Sequence, residues 1–500
     1  MMRRLFYMAG LNKRNPGKHP VSSGRFIACL SSSVIQNAMD PLLFKSATQL
    51  LHALREKWVS SEELVRAMID RIEEVNPRLN AVAQLAADEA LIAAREADRR
   101  RAQGEFVGPL LGLPFTLKDA IETESVICTG GTEGRKDYVP SADAEVVRRL
   151  RAAGAVLLGK TNCPEFGWAW ESDNLVYGRT NNPFDPKLSP GGSSGGESAI
   201  IAAGGSAFGL GSDAGGSVRF PAHCTGIAAI KPTSGRIPRT GHFPGPGGIL
   251  DPLWQIGPLA RSVEDLALVL PVISGPDFHD PSVVPAPVWD VRSVDIKTMR
   301  IAFHTDNGVV PPAPEIAEVV KKAAAALAAA GAHVEELRPP GIEETYDLYL
   351  KLFSADGGAA IEGLIRDAGT QRIHPLLERV LAIQRANAST MADFVALVGR
   401  WDVFRSRMLA FMQNWDAILC PVAPFAGMKH GSTYDILDSF SYTMTFNLTG
   451  WPAAVVRAGW KTGGLPFGVQ IAARPWREDV ALAVAHFIET AVGGFQPPPV

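Results

Sequence analysis

Residues 189–197 read SPGGSSGGE and residues 211–221 read GSDAGGSVRFP, and no other part of the chain is as informative. Each stretch sets a serine, Ser193 or Ser217, among glycines that allow backbone N–H groups to converge on a small anion. A helix after the first stretch would advance ~12 Å, and an extended return into the second would cover ~20 Å. The chain can therefore double back, and we expect the two serine hydroxyls to lie close together.

The composition is typical of a globular protein. Of the 500 residues, 46% are hydrophobic and 20% are charged, unlike a disordered chain. The formal net charge of −3 gives no reason to expect nucleic acid or an anionic membrane as a partner. The longest nearly apolar stretch, residues 199–210, is shorter than the ~20 residues that span a bilayer. We therefore expect no nucleic-acid partner and no membrane anchor.

The cysteines are scattered, odd in number and without C-x-x-C spacing. They are Cys29, Cys128, Cys163, Cys224 and Cys420. This usage disfavours a disulfide framework and a structural zinc site, so we expect no metal site. It favours a reducing compartment, and we predict a cytoplasmic location.

The first 38 residues differ from the rest, because they contain six Lys and Arg residues and no acidic residue. A targeting peptide could have this composition, although an uninterrupted apolar segment typical of a secretory signal is missing. The alternative is a basic extension that is disordered or precedes the true start at Met39. We predict the second case, with the folded domain spanning residues 39–500.

The folded part divides into a helical N-terminal region and a longer α/β core. Residues 45–105 show helical periodicity, and Ser60 with Glu63 forms a capping box before an amphipathic helix. From residue 108 to 500, short apolar runs divided by Gly and Pro alternate with helical segments. No composition shift marks a second domain. We predict an α/β fold with one large domain, in which a mixed β-sheet core is flanked by helices on both faces.

Two motifs offer competing chemistries. Residues 154–161, GAVLLGKT, match the P-loop pattern, but their middle residues favour a strand and Pro164 follows closely. Residues 191–195 fit the G-x-S-x-G elbow of α/β-hydrolases, yet a polar, proline-broken loop precedes them where that elbow needs a strand. His223 and His242 could still serve a Ser-His-Asp triad, which is defined by geometry. Nucleotide binding and such a triad are both disfavoured.

A third interpretation joins the two serines to Lys118, within GLPFTLKD at residues 112–119. Together the three stretches resemble the Ser-Ser-Lys machinery of the amidase signature family of amide hydrolases. The resemblance extends to GKTN at residues 159–162 and GLPFGVQ at residues 464–470. It implies the amidase signature fold and cleavage of a carboxylic acid amide to acid and amine or ammonia. It implies no metal and no organic cofactor.

The resemblance also implies catalytic roles. Ser217 would be the nucleophile, Ser193 a bridging serine preceded by a cis peptide, and Lys118 the base. A lysine must be neutral to act as a base, and burial lowers its pKa because desolvation disfavours the charged form. We expect Lys118 to be buried, with a pKa near ~8 in place of its ordinary ~10.4.

Further residues would hold the oxyanion and support the loop. The oxyanion hole would consist of four consecutive backbone N–H groups, those of Ala214, Gly215, Gly216 and Ser217. The supporting side chains would be Ser194, Asp213 and Arg219. An alternative role for Arg219, as a ligand for a substrate carboxylate, stays open here.

The loop EFGWAW at residues 165–170 would line the acyl side of the pocket, with Gly167 and Trp168 as substrate-binding residues. Its aromatic residues suggest an apolar or aryl small-molecule amide, although they could equally be core. Two sets could complete the wall: Leu348, Tyr349, Leu352 and Phe353, or Phe440, Tyr442 and Phe446.

The nearest rival function is the glutaminase component of a tRNA-dependent amidotransferase. Such a component works beside a partner and binds charged, polar glutamine. That ligand needs a paired carboxylate and guanidinium, which the sequence does not reveal. A catalytically inactive binding protein is disfavoured, because all three reacting side chains are present. A homodimer is compatible with the resemblance.

Overall fold

The computed structural model describes residues 41–105, 108–248 and 250–500. The helices are α1 Ala47–Arg55, α2 Ser61–Leu79, α3 Ala87–Ala102, α4 Glu145–Ala152, α5 Gly195–Ala202, α6 Arg219–Thr225, α7 Val263–Ile273, α8 Pro314–Ala329, α9 Thr345–Ser354, α10 Ala359–Asp367, α11 Pro375–Ala386, α12 Met391–Phe411, α13 Ser441–Leu448 and α14 Glu478–Val492. The strands are β1 Val82–Leu85, β2 Pro114–Lys118, β3 Val156–Thr161, β4 Leu188–Ser189, β5 Phe208–Asp213, β6 Ala228–Lys231, β7 Gln255–Ala260, β8 Arg300–Phe303, β9 His333–Glu336, β10 Ala417–Pro421, β11 Met428–Lys429, β12 Ala453–Trp460 and β13 Pro466–Ala473. The predictions for residues 1–38 lie outside the described residues.

Eleven strands form one mixed sheet in the order β1-β3-β2-β5-β7-β6-β12-β13-β10-β8-β9, and β4 pairs with β11 separately. Strand β2 runs parallel to both β3 and β5, whereas β5 is antiparallel to β7. The carboxyl ends of β2, β3 and β5 therefore lie at the same edge of the sheet. Loops that leave parallel strands at such an edge commonly build binding sites.

Side chains alternate between the two faces of the sheet, and both faces are covered by helices. On β12, Val456 belongs to a core that includes buried side chains of α2, α7, α8 and α14. Ala453 on the same strand belongs to a second core built with α9, α12 and α13. Strand β10 likewise sends Leu419 to the first core and Ile418 to the second, as a period of two requires. The prediction of a mixed sheet between two helical layers is confirmed.

The N-terminal region is helical, as its periodicity predicts, but it also contains a strand, β1, where the periodicity indicates helix. The Ser60 hydroxyl accepts from the Glu63 N–H at 3.1 Å, and the Ser60 N–H donates to the Glu63 carboxylate at 2.8 Å, so the capping box is formed. After α2, the Asn76 side-chain oxygen accepts from the N–H groups of Ala81 and Val82, both at 2.8 Å. These bonds turn the chain into β1, which pairs antiparallel with β3.

The P-loop match belongs to this sheet. Residues 156–161 form the buried strand β3, and the Lys160 ammonium donates to the carbonyl oxygen of Ile121. Its amine is thus used inside the core and does not face an open anion site. The interpretation of this motif as a strand and exit turn is confirmed.

Among the described residues, none of the helices combines the length and the apolar character needed to cross a bilayer. Within the same ranges, four cysteines are buried and free of disulfide bonds.

Glu197 joins α5 to the two strands below it. Its buried carboxyl group hydrogen-bonds with the hydroxyls of Thr116 on β2 and Thr161 on β3. Burial raises the pKa of Glu197 to about 8, despite the opposing effect of both threonines. Gly209 on β5 lies directly beside this group, and a Cβ there would overlap Glu197 Oε1 and lie 2.8 Å from the Thr116 carbonyl oxygen. The missing side chain therefore lets α5 approach the sheet.

We expect Gly209→Ala to lower the free energy of unfolding by about 1–3 kcal/mol, because the added methyl group has no space and forces α5 away from the sheet. The matched control is Gly399→Ala in α12, where a Cβ meets no atom within 4 Å and alanine has the higher helix propensity. Thermal melting followed by circular dichroism measures both. Equal melting temperatures for the two variants would contradict the packing argument.

Candidate active site

The parallel strands and two following helices bring the predicted residues to one cavity. Lys118 is the last residue of β2 and Asp213 the last of β5. Ser193 lies two residues before α5, and Ser217 two residues before α6. The side chains of Lys118, Ser193 and Ser217 line the same cavity of about 210 Å³.

Lys118 is buried, with 1% of its surface exposed, and it contacts two serine hydroxyls. Its Nζ lies 2.6 Å from Ser193 Oγ and 3.0 Å from Ser212 Oγ. Burial lowers the pKa of Lys118 to about 8, while Cys163 and Asp213 act in the opposite direction. The arrangement therefore increases the fraction of neutral amine near neutral pH.

Ser193 and Ser217 are held together through their backbones. The Gly192–Ser193 peptide is cis, as the resemblance predicts. The next residue, Ser194, donates its N–H to the Ser217 carbonyl oxygen at 3.1 Å, and its hydroxyl lies 3.4 Å from the Ser212 carbonyl oxygen. In the described part of the chain, the Ser193 and Ser217 hydroxyls do not hydrogen-bond directly. The hydrogen bond between Lys118 and Ser193 is thus formed, whereas the one between the Ser193 and Ser217 hydroxyls is not.

Asp213 and Arg219 form a fully buried ion pair, with Nη2 and Oδ1 2.9 Å apart. Burial alone would raise the pKa of Asp213, but Arg219 and Asn447 outweigh it and hold that pKa well below its ordinary value. Arg219 also donates to the Thr443 carbonyl at 2.9 Å and to Gln470 at 2.7 Å. Its guanidinium is thus engaged inside the protein and does not line the cavity, so the alternative role as a carboxylate ligand is not supported.

The carboxylate of Asp213 orders the loop that carries Ser217. It accepts from the N–H groups of Gly216 at 2.8 Å and of Val218 at 3.1 Å. The structure therefore differs from the prediction at Gly216, whose N–H is already donated to Asp213 and is not free for an oxyanion. Among the described residues, no acceptor binds the N–H groups of the other three predicted donors, Ala214, Gly215 and Ser217.

Carbonyl groups of the same loop are fixed by side chains around the cavity. Tyr349 donates its hydroxyl to the Ala214 carbonyl at 3.1 Å. The Trp170 indole N–H and the Thr443 hydroxyl donate to the Gly215 carbonyl at 2.9 and 2.7 Å. In a trans peptide the carbonyl and the next N–H point in opposite directions. Anchoring the Ala214 carbonyl therefore sets the direction of the Gly215 N–H.

Eight aromatic side chains among the described residues line the cavity. Gly167 has a φ of +79°, and a Cβ there would lie 3.7 Å from Ser193 Oγ and 3.8 Å from Lys118 Nζ. The aromatic lining residues are Phe166, Trp168, Trp170, Trp254, Tyr346, Tyr349, Phe353 and Tyr434. The loop at 165–170 thus faces the cavity. Of the two sets proposed for the rest of the wall, only part of the first lines it, namely Tyr349 and Phe353. The other residues of the two sets do not line the cavity, and Leu348, Leu352, Phe440 and Phe446 are core.

The wall has little charge. Among the described residues that line the cavity, three have acidic or basic side chains: Lys118, Asp213 and His242. Asp213 is already paired with Arg219. The wall therefore offers no free carboxylate and guanidinium for the ammonium and carboxylate groups of an amino acid.

Two contacts beside the active site lie outside the sequence-based predictions: one joins Lys118 to Ser212, and the other joins Ser212 to His242. Ser212 lies in the quoted motif, yet nothing in its spacing singled it out as a partner of Lys118. His242 was considered only for a Ser-His-Asp triad, and its Nε2 lies 2.9 Å from Ser212 Oγ. His223 is buried against the carbonyl of Phe425, at 2.8 Å, and has no part in the cavity wall.

Most of the chain matches a known protein family. The family model described as Amidase matches residues 63–482. The indoleacetamide hydrolase of Bradyrhizobium diazoefficiens is 36% identical over 459 residues, which cover 90% of this chain and 86% of that protein. The A component of the glutamyl-tRNA(Gln) amidotransferase of Moorella thermoacetica is 36% identical over 476 residues, covering 90% and 96%.

A solved structure of 6-aminohexanoate cyclic dimer hydrolase complexed with substrate has a TM-score of 0.80 and 31% identity. The match covers 90% of this chain and 97% of that one. The fold, the cavity and both kinds of relatives lead to one conclusion: the chain belongs to the amidase family, the amidase signature hydrolases.

Proposed function

We propose that this protein hydrolyses a carboxylic acid amide through an acyl-enzyme on Ser217, with Ser193 and Lys118 as its proton relay. The contact that carries the proposal is the 2.6 Å distance between Lys118 Nζ and Ser193 Oγ, in the cavity that Ser217 also lines. The lowered pKa of Lys118 supports the same role. A nucleophile beside a base is the arrangement that covalent catalysis needs.

The first step moves two protons and forms one bond. Neutral Lys118 takes the proton of Ser193 while Ser193 takes that of Ser217, and Ser217 Oγ attacks the amide carbonyl carbon. This step needs the open Ser193–Ser217 link to close, as catalytic hydrogen bonds often do when substrate binds. The oxyanion is stabilised by the free N–H groups of Ala214, Gly215 and Ser217.

The remaining steps release the two products. The tetrahedral intermediate collapses, the carbon–nitrogen bond breaks, and the amine leaves with a proton returned through Ser193. Water then attacks the acyl-enzyme, with the same relay accepting its proton and Ser217 recovering one. The carboxylic acid departs and the enzyme is restored.

The cavity wall supports an apolar or aryl acyl group as the substrate class. Trp168 and Phe353 meet edge to face with ring centroids 5.5 Å apart, and Tyr349 stacks on Phe353 at 4.3 Å. Flat aromatic walls favour a planar apolar group, since they gain contact area without ordering flexible chains. A relative of similar length is named an indoleacetamide hydrolase, which fits an aryl acyl group.

The glutaminase alternative is weaker on the same grounds. The match to the A component of an amidotransferase keeps it open. Free glutamine, however, carries two opposite charges, and placing them unpaired against aromatic walls would be unfavourable.

The buried free cysteines agree with the proposed cytoplasmic location, and the homodimer stays a prediction.

We expect Ser217→Ala and Lys118→Met each to reduce kcat/KM for an aryl amide by at least ~10³-fold, because each removes a member of one catalytic unit. The matched control is Lys187→Met at an exposed loop position, which should keep wild-type activity. Steady-state amide hydrolysis measures all three. Turnover retained in Ser217→Ala would assign the nucleophile to another residue, with Ser193 the first to examine.

The activity should rise about tenfold per pH unit below pH 8 and level off above it. The reason is that the acting form of Lys118 is neutral, and its pKa is about 8. The measurement is kcat/KM from pH 6 to 10 with a substrate that has no titratable group. A flat profile between pH 6 and 9, with chemistry shown to be rate-limiting, would contradict Lys118 as the base.

Indole-3-acetamide should be preferred over glutamine by at least ~10² in kcat/KM, and Trp168→Ala should lower kcat/KM for the indole substrate by about 10- to 100-fold. Loss of an aromatic contact of about 1.5–3 kcal/mol accounts for that range. Trp289→Ala is the matched control, because Trp289 is 54% exposed. Preference for glutamine by the isolated chain would instead support the glutaminase.

A further inference from the structure

A chain of hydrogen bonds leads from the active-site lysine to a backbone carbonyl. Lys118 Nζ lies 3.0 Å from Ser212 Oγ, which lies 2.9 Å from His242 Nε2. The other ring nitrogen, His242 Nδ1, lies 2.9 Å from the Pro244 carbonyl oxygen. Ser212 and His242 line the same cavity as Lys118.

The last contact fixes the proton positions in this chain. A carbonyl oxygen can only accept, so His242 Nδ1 must carry a hydrogen and donate it to Pro244. In the neutral ring, Nε2 is then an acceptor, and the Ser212 hydroxyl donates a hydrogen bond to it. Ser212 Oγ therefore presents only lone pairs to Lys118, and the amine must donate to it.

This direction matters for the neutral amine, which has two hydrogens and one lone pair. If Ser212 donated to that lone pair, Lys118 could only donate to Ser193, which is the wrong direction for a base. Because the Ser212 hydroxyl donates to His242, the lone pair of Lys118 remains free to accept the proton of Ser193.

We propose that His242, acting through Ser212, is a positioning residue that keeps the lone pair of neutral Lys118 directed at Ser193. The inference rests on the proposed function, since it requires Lys118 to act as the base. His242 does not touch the reacting atoms, and its effect passes entirely through the direction of one hydrogen bond.

The surroundings hold the ring in place. The backbone of His242 pairs with Ile121, three residues after Lys118, and the ring packs on Trp254 with centroids 4.8 Å apart. The residue as a whole is half-buried, and it lines the cavity.

The charges around His242 keep the ring neutral. The charged groups that act on it are Lys118 from β2, Lys160 from β3 and Arg239 from its own loop, all of them cations. Burial and then these cations lower the pKa of His242 to about 3. The ring therefore stays an acceptor across the working pH range.

Loss of the acceptor has an effect that simple damage to the site would not produce. Without the His242 acceptor, the Ser212 hydroxyl donates a hydrogen bond to the lone pair of Lys118, and this bond stabilises the neutral amine. The acid limb of the pH profile should therefore move to lower pH by about half a unit to one unit. The plateau rate should fall nevertheless, because the lone pair is occupied.

The experiment compares His242→Phe, His242→Asn and His242→Gln with the wild type, using kcat, KM and the pH profile of amide hydrolysis. The glutamine side-chain oxygen can reach the position of Nε2, whereas the shorter asparagine cannot. We expect kcat to fall about 10- to 100-fold for Phe and Asn, within the contribution of a general base. KM should change by less than about threefold, and Gln should recover most of the rate and the wild-type pH limb.

His279→Phe at an exposed loop position is the matched control and should behave as wild type. Melting curves establish that each variant is folded, and the Asn–Gln pair serves if the Phe variant is not. The proposal is overturned if the Asn and Gln variants have equal kcat, or if the acid limb does not move in the variants that lose activity. If wild-type hydrolysis survives Lys118→Met, the proposed function fails instead, and the two failures are thereby distinguished.

Discussion

Lys118 is buried at the end of β2, and within the described residues its amine hydrogen-bonds to two serine hydroxyls and to no carboxylate. Lowering its pKa from 10.5 to about 8 costs the folded state about 3 kcal/mol when the amine is charged. That cost is fully present below pH 8 and disappears as the pH rises toward 10.5, because the unfolded chain then loses the same proton. At neutral pH the folded state therefore bears this cost, and a fraction of the Lys118 side chains is neutral.

The neighbouring buried charge, Asp213, differs from Lys118 because it has a directly paired opposite charge. Asp213 and Arg219 pair directly at 2.9 Å. Asn447 donates to Asp213 and accepts from Arg219, and the N–H groups of the loop donate to Asp213. Removing either partner would leave an uncompensated buried charge, so the pair fixes the loop that carries Ser217. The negative charge of Asp213 also raises the pKa of Lys118, against the effect of burial. Its ion pair with Arg219 limits this effect, since most of the charge of Asp213 is already compensated.

The sequence was sufficient for the parts of the molecule that rest on local patterns. The capping box at Ser60, the strand nature of residues 156–161 and the proximity of Ser193 and Ser217 follow from spacing and from glycine-rich turns, whereas the place of Lys118 beside them follows from the family resemblance. Strand β1 was missed because four residues carry too short an alternation. The use of the Gly216 N–H by Asp213 was missed because a resemblance gives roles and not hydrogen bonds.

The contact between Lys118 and His242 through Ser212 is harder to predict for a physical reason. His242 is separated by 124 positions from Lys118 and by 30 from Ser212, and the pairing of its backbone with Ile121 depends on the course of a loop. No periodicity or local motif encodes such a contact. The aromatic wall had the same ambiguity, since an aromatic residue in a core and one beside a cavity look alike in sequence.

The aromatic wall and the lysine with the lowered pKa belong to the same cavity. Aromatic side chains line it together with Lys118, and burial disfavours the ammonium form of that lysine. An apolar acyl group of the proposed kind would displace water from the cavity and preserve the neutral amine. A strongly hydrated substrate would bring water to the lysine, raise its pKa and lower the fraction of neutral amine. Under the proposed function, substrate preference and the neutral fraction of Lys118 are therefore coupled: the side chains proposed to select an apolar amide would also keep the amine able to accept a proton.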